Sequence, residues 1–334
     1  MTVFHRLLAA LAVAALAVPA SAMAQDNGIT VYTSQHAALT QAWADAYTAE
    51  TGVPVSIRKG TDILMANQII QEGLNSPADV FLTENSPAMA MVEQAGFFSP
   101  VNAETLAMIP EQFRPASGMW TGIAARTTLF VYNKDMLSEA DLPKSMLDLA
   151  APEWQGRWGA APAGADFQAI VSALLQLRGS DETANFLAGL RRNALVYRGN
   201  FEAMRGANIG EVAGALIYNY YYYGDQGSTG ESSDKLGLLF FGNEDPGAFV
   251  SISGGGVLKA SDNPEAAQAF LAFVTGPKGQ AILRDGTSYE YAIGSGIEAN
   301  AALPPLSTLD YPKVDPSLLN AQEVVQLMTA AGVM

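Results

Sequence analysis

The chain carries the stretch Leu216-Ile-Tyr-Asn-Tyr-Tyr-Tyr-Tyr-Gly224, which holds five of its 12 tyrosines within six residues. The apolar residues 213–217 predict a buried strand, and a turn into a helix should follow with Asn219 near its N-cap. Tyr220 and Tyr221 would then begin the helix about 100° apart, so that two phenol oxygens could converge in front of it. Such a pair suits a highly charged cation that prefers oxygen ligands. Alternatively, the tyrosines belong to a strand that packs on a core.

Strands and helices alternate on the N-terminal side of this stretch. The pattern predicts strands at 29–33, 53–59 and 78–83 and helices at 37–51 and 61–74, the first of these helices ending at Gly52. This alternation predicts a mostly parallel sheet, whose ligands bind at the carboxyl ends of the strands. His36 and Glu84 each follow a predicted strand and are therefore candidate ligands.

The C-terminal half continues the alternation. Residues 118–136 predict one or two long strands that cross between lobes, and strands at 236–241 and 248–252 precede the final helices. A loop of small residues, Ala163-Gly164-Ala165, opens a helix predicted at 166–177. Such a loop can bind an oxyanion on its backbone N–H groups, or it is only a tight connection.

Residues 1–24 have the pattern of a secretory signal peptide, with Arg6, an apolar segment at 7–18 and a predicted cleavage after Ala24. The remaining length suits two lobes. We therefore expect an exported periplasmic protein with no membrane-spanning helix. The formal charge of −15 argues against binding to nucleic acid.

The residue inventory excludes several kinds of site. With no cysteine, the chain has no disulfide, thiolate nucleophile or Cys metal site. His36 is the single histidine after the predicted cleavage, which excludes histidine-rich zinc sites. An exported hydrolase with His36 as base remains an alternative, although the sequence contains no G-x-S-x-G motif.

Five segments together resemble the periplasmic ferric-iron-binding proteins of bacterial ABC importers. They are Ile29-Thr-Val-Tyr-Thr-Ser-Gln-His36, Ala78-Asp-Val-Phe-Leu-Thr-Glu84, Arg126-Thr-Thr-Leu-Phe-Val-Tyr-Asn133, Trp154-Gln-Gly156-Arg and Ala215-Leu-Ile-Tyr-Asn-Tyr-Tyr221. The adjacent tyrosines of the last segment are the most specific match. The resemblance implies a type II periplasmic binding protein with two α/β lobes, each a mostly parallel sheet flanked by helices, and a cleft between them. We place one lobe at 25–127 plus 248–300 and the other at 128–247 plus 301–334.

The resemblance also implies the site residues. The ferric ligands would be His36 and Glu84 from the first lobe and Tyr220 and Tyr221 from the second. A synergistic anion, phosphate or carbonate, would bind at a set of residues comprising Ala163, Gly164, Ala165, Asn200 and Arg126. The chain departs from the family at Ala163, where a serine is common, and at Tyr218, where an asparagine is common. Both changes remove side-chain donors to the anion.

The resemblance implies a monomeric, non-enzymatic protein that captures ferric iron, free or chelated, and delivers it to an inner-membrane ABC permease. The charges agree, since two phenolates and one carboxylate balance Fe³⁺ while a neutral imidazole fills a fourth position. The metal would close the cleft by joining the two lobes. A protein of the same fold for a polyamine, thiamine or an oxyanion, with the tyrosines as an aromatic box, is the alternative.

Overall fold

The computed structural model describes residues 28–334, so the predicted signal peptide lies outside the described residues. The strands are β1 (Ile29–Thr33), β2 (Val55–Lys59), β3 (Val80–Leu82), β4 (Thr121–Asn133), β5 (Trp158–Ala160), β6 (Ala194–Val196), β7 (Gly214–Tyr218), β8 (Leu236–Leu239) and β9 (Val250–Val257). The helices are α1 (Ala37–Thr51), α2 (Asp62–Glu72), α3 (Ser86–Gln94), α4 (Ala103–Ala107), α5 (Ala165–Asn193), α6 (Asn200–Asn208), α7 (Asn219–Gln226), α8 (Pro264–Thr275), α9 (Pro277–Asp285) and α10 (Ala321–Ala330).

The strands join in the order β2-β1-β3-β9-β4-β7-β5-β6, with β8 paired to β4. β1 pairs in parallel with β2 and β3, and β5 pairs in parallel with β6 and β7. The two long strands β4 and β9 run antiparallel to each other between these groups. The predicted two-lobed α/β fold is confirmed, and each lobe adds antiparallel crossing strands to its parallel set because the chain must pass between the lobes and return.

Each group of parallel strands has its own buried cores. We call the part built on β1, β2 and β3 the first lobe, where Trp43 and Phe270 are fully buried. The part built on β5, β6 and β7 is the second lobe, where Trp158 and Phe167 are fully buried. Burial of such large side chains stabilises each lobe by about 1.5–3 kcal/mol per residue.

The lobe boundaries at 127/128 and 247/248 remain predictions; the first falls within β4 and the second just before β9.

Local structure follows most of the sequence patterns, although β9 continues to Val257, beyond the end predicted at 252. Helix α1 has the predicted bounds and ends at Gly52, whose φ of 75° is the left-handed conformation that glycine favours. The helix predicted at 166–177 ends close to a break within α5 at Gly179, whose φ of 81° and ψ of 174° are not helical, and a second helical segment then continues to Asn193. Asn219 is the first residue of α7 and does not cap it; the N-cap position is Tyr218.

The Asn219 side chain bonds to the crossing strand instead of to its own helix. Its Oδ1 accepts from the Thr127 backbone N–H at 2.8 Å, and its Nδ2 donates to the Tyr289 carbonyl oxygen at 2.9 Å. The start of α7 is therefore fixed to the strand that joins the lobes.

Within residues 28–334, no helix is long and apolar enough to cross a membrane.

A substitution at Gly122 on β4 would test how closely this crossing strand packs against the segment that contains Phe113. A Cβ at this position would lie 2.2 Å from the Phe113 carbonyl oxygen, a backbone atom that cannot rotate away. We expect Gly122→Ala to lower the free energy of unfolding by about 1–3 kcal/mol in denaturant titrations. Gly224→Ala is the control, because the nearest atom to its added Cβ is 4.0 Å away. Equal stability of Gly122→Ala and wild type would contradict the packing described here.

Candidate metal centre

The four predicted metal ligands lie together between the lobes. His36 directly precedes α1 and Glu84 follows β3, while Tyr220 and Tyr221 lie in the first turn of α7. His36 Nε2 is 3.3 Å from Glu84 Oε1, and the His36 and Tyr220 rings meet edge-on with centroids 4.8 Å apart. The Tyr220 and Tyr221 ring centroids are 4.2 Å apart. Each lobe thus contributes two of the predicted donors to a single site.

A fifth group, the Asp166 carboxylate, lies at the centre of this arrangement and was not predicted from the sequence. Its Oδ2 accepts hydrogen bonds from the Tyr220 hydroxyl at 2.7 Å, the Tyr221 hydroxyl at 3.1 Å and Asn200 Nδ2 at 3.0 Å. Asp166 is 4% exposed and occupies the second position of α5. The positive end of the helix dipole stabilises a carboxylate there.

Most of the residues predicted to bind an anion surround this carboxylate. Gly164 is the N-cap of α5 and Ala165 its first residue, directly before Asp166. Asn200 donates to Asp166, whereas the Ala163 carbonyl oxygen accepts from Gln168 Nε2 at 3.2 Å. The role of this small-residue loop in binding an anion remains a prediction; what lies beside it is the Asp166 carboxylate of the chain itself.

Arg126, the remaining residue predicted to bind the anion, is fully buried on β4 and donates to groups other than Asp166. Its guanidinium donates to the Glu84 carbonyl oxygen, the Ser253 hydroxyl and the Glu290 carboxylate. Glu290 is also fully buried. Burial alone would lower the pKa of Arg126, but the adjacent Glu290 carboxylate raises it, so the side chain stays charged. The positive charge lies 5.5 Å from the centroid of the Tyr220 ring.

The site without metal retains protons. Burial raises the pKa of Tyr220 well above its usual value, and the Asp166 carboxylate raises it further. The pKa of Tyr221 rises for the same two reasons. Burial and Asp166 likewise raise the pKa of Glu84 well above normal. A cation that binds here must therefore displace protons, which favours an ion of high charge.

The donor set fits a small, hard cation. Ligands of an octahedral ion with bonds of about 2.0–2.1 Å lie about 2.9 Å apart, and the donor pairs given above are separated by 2.7, 3.1 and 3.3 Å. In the described part of the chain, no three His, Cys, Asp or Glu side chains, His36, Glu84 and Asp166 included, form a group that could hold a metal ion. A metal at this place therefore depends on the phenol oxygens.

The two tyrosines that follow the pair lie against other parts of the core. Tyr222 packs against the cluster that contains Leu129 and Ile217, and Tyr223 packs against the one that contains Val250. Their rings meet each other edge-on, with centroids 5.4 Å apart. Of the five tyrosines, Tyr220 and Tyr221 thus donate to Asp166, and the other three pack against hydrophobic cores.

Comparisons with known proteins agree on one family. A family model described as bacterial extracellular solute-binding protein matches residues 75–314. The chain is 52% identical over 319 residues to the Fe(3+)-binding periplasmic protein of Serratia marcescens, covering 96% of this chain and 94% of the relative. It is 35% identical to the major ferric iron-binding protein of Neisseria meningitidis serogroup B, covering 97% of each. The solved structure of iron-bound HitA from Pseudomonas aeruginosa is similar, with a TM-score of 0.85, 40% identity, and coverage of 91% of this chain and 99% of that one.

The contact between Asp166 and the phenols predicts a shift in their ionisation. Because Asp166 raises the pKa of both Tyr220 and Tyr221, Asp166→Asn should lower both in the metal-free protein. Ultraviolet titration of phenolate absorbance would measure this, with two tyrosines ionising at lower pH than in the wild type. Asp225→Asn, a buried carboxyl on the same helix, is the control and should leave these two unchanged. Superimposable titration curves for wild type and Asp166→Asn would contradict the assignment.

Proposed function

The chain belongs to the ferric-iron-binding members of the bacterial extracellular solute-binding proteins, and we propose that it captures Fe³⁺ through His36, Glu84, Asp166, Tyr220 and Tyr221. It is a binding protein of an ABC importer and not an enzyme. The observation that carries the proposed donor set is the convergence of two phenols and two carboxylates, contributed by both lobes, beside the single imidazole.

Each donor has a role that follows from its chemistry. Tyr220, Tyr221 and Asp166 form an all-oxygen face on the second lobe, which suits a hard trivalent ion. His36 and Glu84 complete the coordination from the first lobe, so that iron holds the cleft closed. With both phenols ionised, the four anionic donors exceed the ferric charge by one. The Arg126 guanidinium lies beside the Tyr220 ring but is paired with Glu290, so this excess remains.

The synergistic anion is replaced in this proposal by Asp166. The carboxylate already receives the Asn200 amide and follows Gly164 and Ala165 at the helix N-terminus, where phosphate or carbonate was expected to bind. The absence of a serine at Ala163 fits, because no exogenous anion then needs its hydroxyl. The predicted anion-binding residues would thus orient a ligand that belongs to the chain.

The periplasm is the place where the protein works. We further propose that the chain is cleaved after Ala24, remains a monomer and docks on an inner-membrane permease after taking up iron as the free ion or a chelate. The periplasmic names of its relatives support the compartment. Its strongly acidic composition disfavours a nucleic-acid partner.

The aromatic-box alternative has less support. An oxyanion would meet the carboxylate of Asp166, and like charges disfavour its binding. An aromatic box would bind an organic cation such as a polyamine or thiamine on its ring faces, whereas here the two tyrosines direct their hydroxyls to Asp166. The iron-bound structure among its relatives also favours a metal over these solutes.

An iron titration tests the phenolate ligands. Ferric citrate added to the iron-stripped mature protein should give a visible phenolate-to-iron charge-transfer band that saturates at one equivalent. Tyr220→Phe and Tyr221→Phe should each lose or shift the band and weaken iron binding by more than the roughly 10- to 100-fold typical of residues around the ligands. Tyr222→Phe is the matched control and should retain the band. A wild type without a band, or a Tyr222→Phe variant as impaired as Tyr221→Phe, would refute the donor set.

A second experiment tests the role of Asp166. In buffer free of phosphate, carbonate and citrate, the wild type should still form the band when iron is added as ferrous chloride and oxidised to Fe³⁺ by dissolved oxygen in the presence of the protein. Asp166→Ala should weaken iron binding at least about tenfold, and added phosphate should restore part of it by filling the vacated position. Glu211→Ala, an exposed acid on the same lobe, is the control. A wild type that needs phosphate would show that Asp166 does not replace the anion.

A further inference from the structure

Asn85 is a buried amide next to the proposed ligand Glu84. It is 2% exposed and lies at the N-cap position of α3. Its Nδ2 donates to Asp62 Oδ2 at 3.2 Å and to Asp166 Oδ1 at 3.1 Å, and its Oδ1 accepts from the Ser251 hydroxyl at 2.9 Å. Both N–H groups and the carbonyl oxygen of the amide are therefore used.

These three partners belong to three different parts of the fold. Asp62 is the first residue of α2 in the first lobe, Ser251 lies on the crossing strand β9, and Asp166 is on α5 in the second lobe. The bond to Asp166 thus reaches across the cleft. Hydrogen bonds to a buried carboxylate are stronger than those between neutral groups, so this contact stabilises the approach of the two lobes.

The first lobe holds the residues around Asn85 without help from the second. Asp62 accepts the backbone N–H groups of Glu84 and Asn85, each at 3.0 Å, and so fixes the turn that carries both residues. The amide is then presented to the cleft on a rigid support. An amide is also suited to this place because it can donate to two carboxylates at once, whereas an acid would repel both.

We propose that Asn85 is a positioning residue that couples lobe closure to iron capture. From the first lobe it holds Oδ1 of Asp166, which leaves Oδ2 directed at the phenols, where it would be available to a ferric ion. Because this bond joins the two lobes, it forms only when they are closed. Asn85 therefore fixes the carboxylate that binds iron only in the closed protein. This inference rests on the proposed function, and in particular on Asp166 as a ligand.

Iron release measures the coupling. Asn85→Ala keeps all five proposed donors, so the charge-transfer band should remain, but release of iron to EDTA should be about 10- to 100-fold faster. Asn102→Ala is the matched control, because Asn102 is also an N-cap residue in the first lobe but is exposed. Its release rate should equal that of the wild type.

Closure itself can be measured because the chain has no cysteine to interfere with labelling. Spin labels on Leu64→Cys in the first lobe and Ile209→Cys in the second would report the interlobe distance, since these side chains are 61% and 65% exposed. Iron should give the wild type one short, narrow distance. Iron-loaded Asn85→Ala should show a broader distribution that includes longer distances.

A double variant separates coupling through Asp166 from a general loss of structure. In an Asp166→Ala background, Asn85→Ala should change iron release by less than about threefold, because the partner is already absent. An undiminished effect in that background, or unchanged release and distances in Asn85→Ala alone, would overturn the proposal. Ser251→Ala, which removes one of the bonds that orient the amide, replaces Asn85→Ala if the latter does not fold. A wild type without a band would instead refute the ferric function itself.

Discussion

The carboxylate of Asp166 is the group on which the arrangement of the centre depends. One of its oxygens receives two phenols and the Asn200 amide, and the other receives Asn85 from the opposite lobe. A buried carboxylate with so many donors is compatible with folding because it lies at a helix N-terminus, where the backbone dipole is favourable. The protonated phenols are in turn oriented by their hydrogen bonds to this carboxylate.

The crossing strands β4 and β9 bring the donors of the two lobes within reach of each other. Successive residues of β9 point to opposite faces, so Ser251 and Ser253 reach the polar centre while Val250 and Ile252 pack in a separate core. Arg126 on β4 adds a buried charge that Glu290 neutralises. The hinge therefore serves both as a mechanical link and as part of the electrostatic environment of the site.

The sequence predicted those features that depend on residues close together in the chain. Helix α1 and its glycine cap, the strand ends that carry His36 and Glu84, and the helix that begins with the tyrosine pair all follow from local patterns. Asp166 was missed because its role arises from contacts with residues 34 and 54 positions away. The pairing of Arg126 with Glu290, 164 positions apart, gave no local signal either.

The centre is unequally protected from water. The side chains of His36 and Glu84 are 23% and 26% exposed, whereas Tyr220 is 7% and Asp166 4% exposed. A competing chelator or a hydronium ion therefore meets the imidazole and the glutamate first, and the phenolate side last. If iron binds as proposed, its exchange would have a direction: the second lobe would be the half that retains the metal and the first lobe the half that releases it.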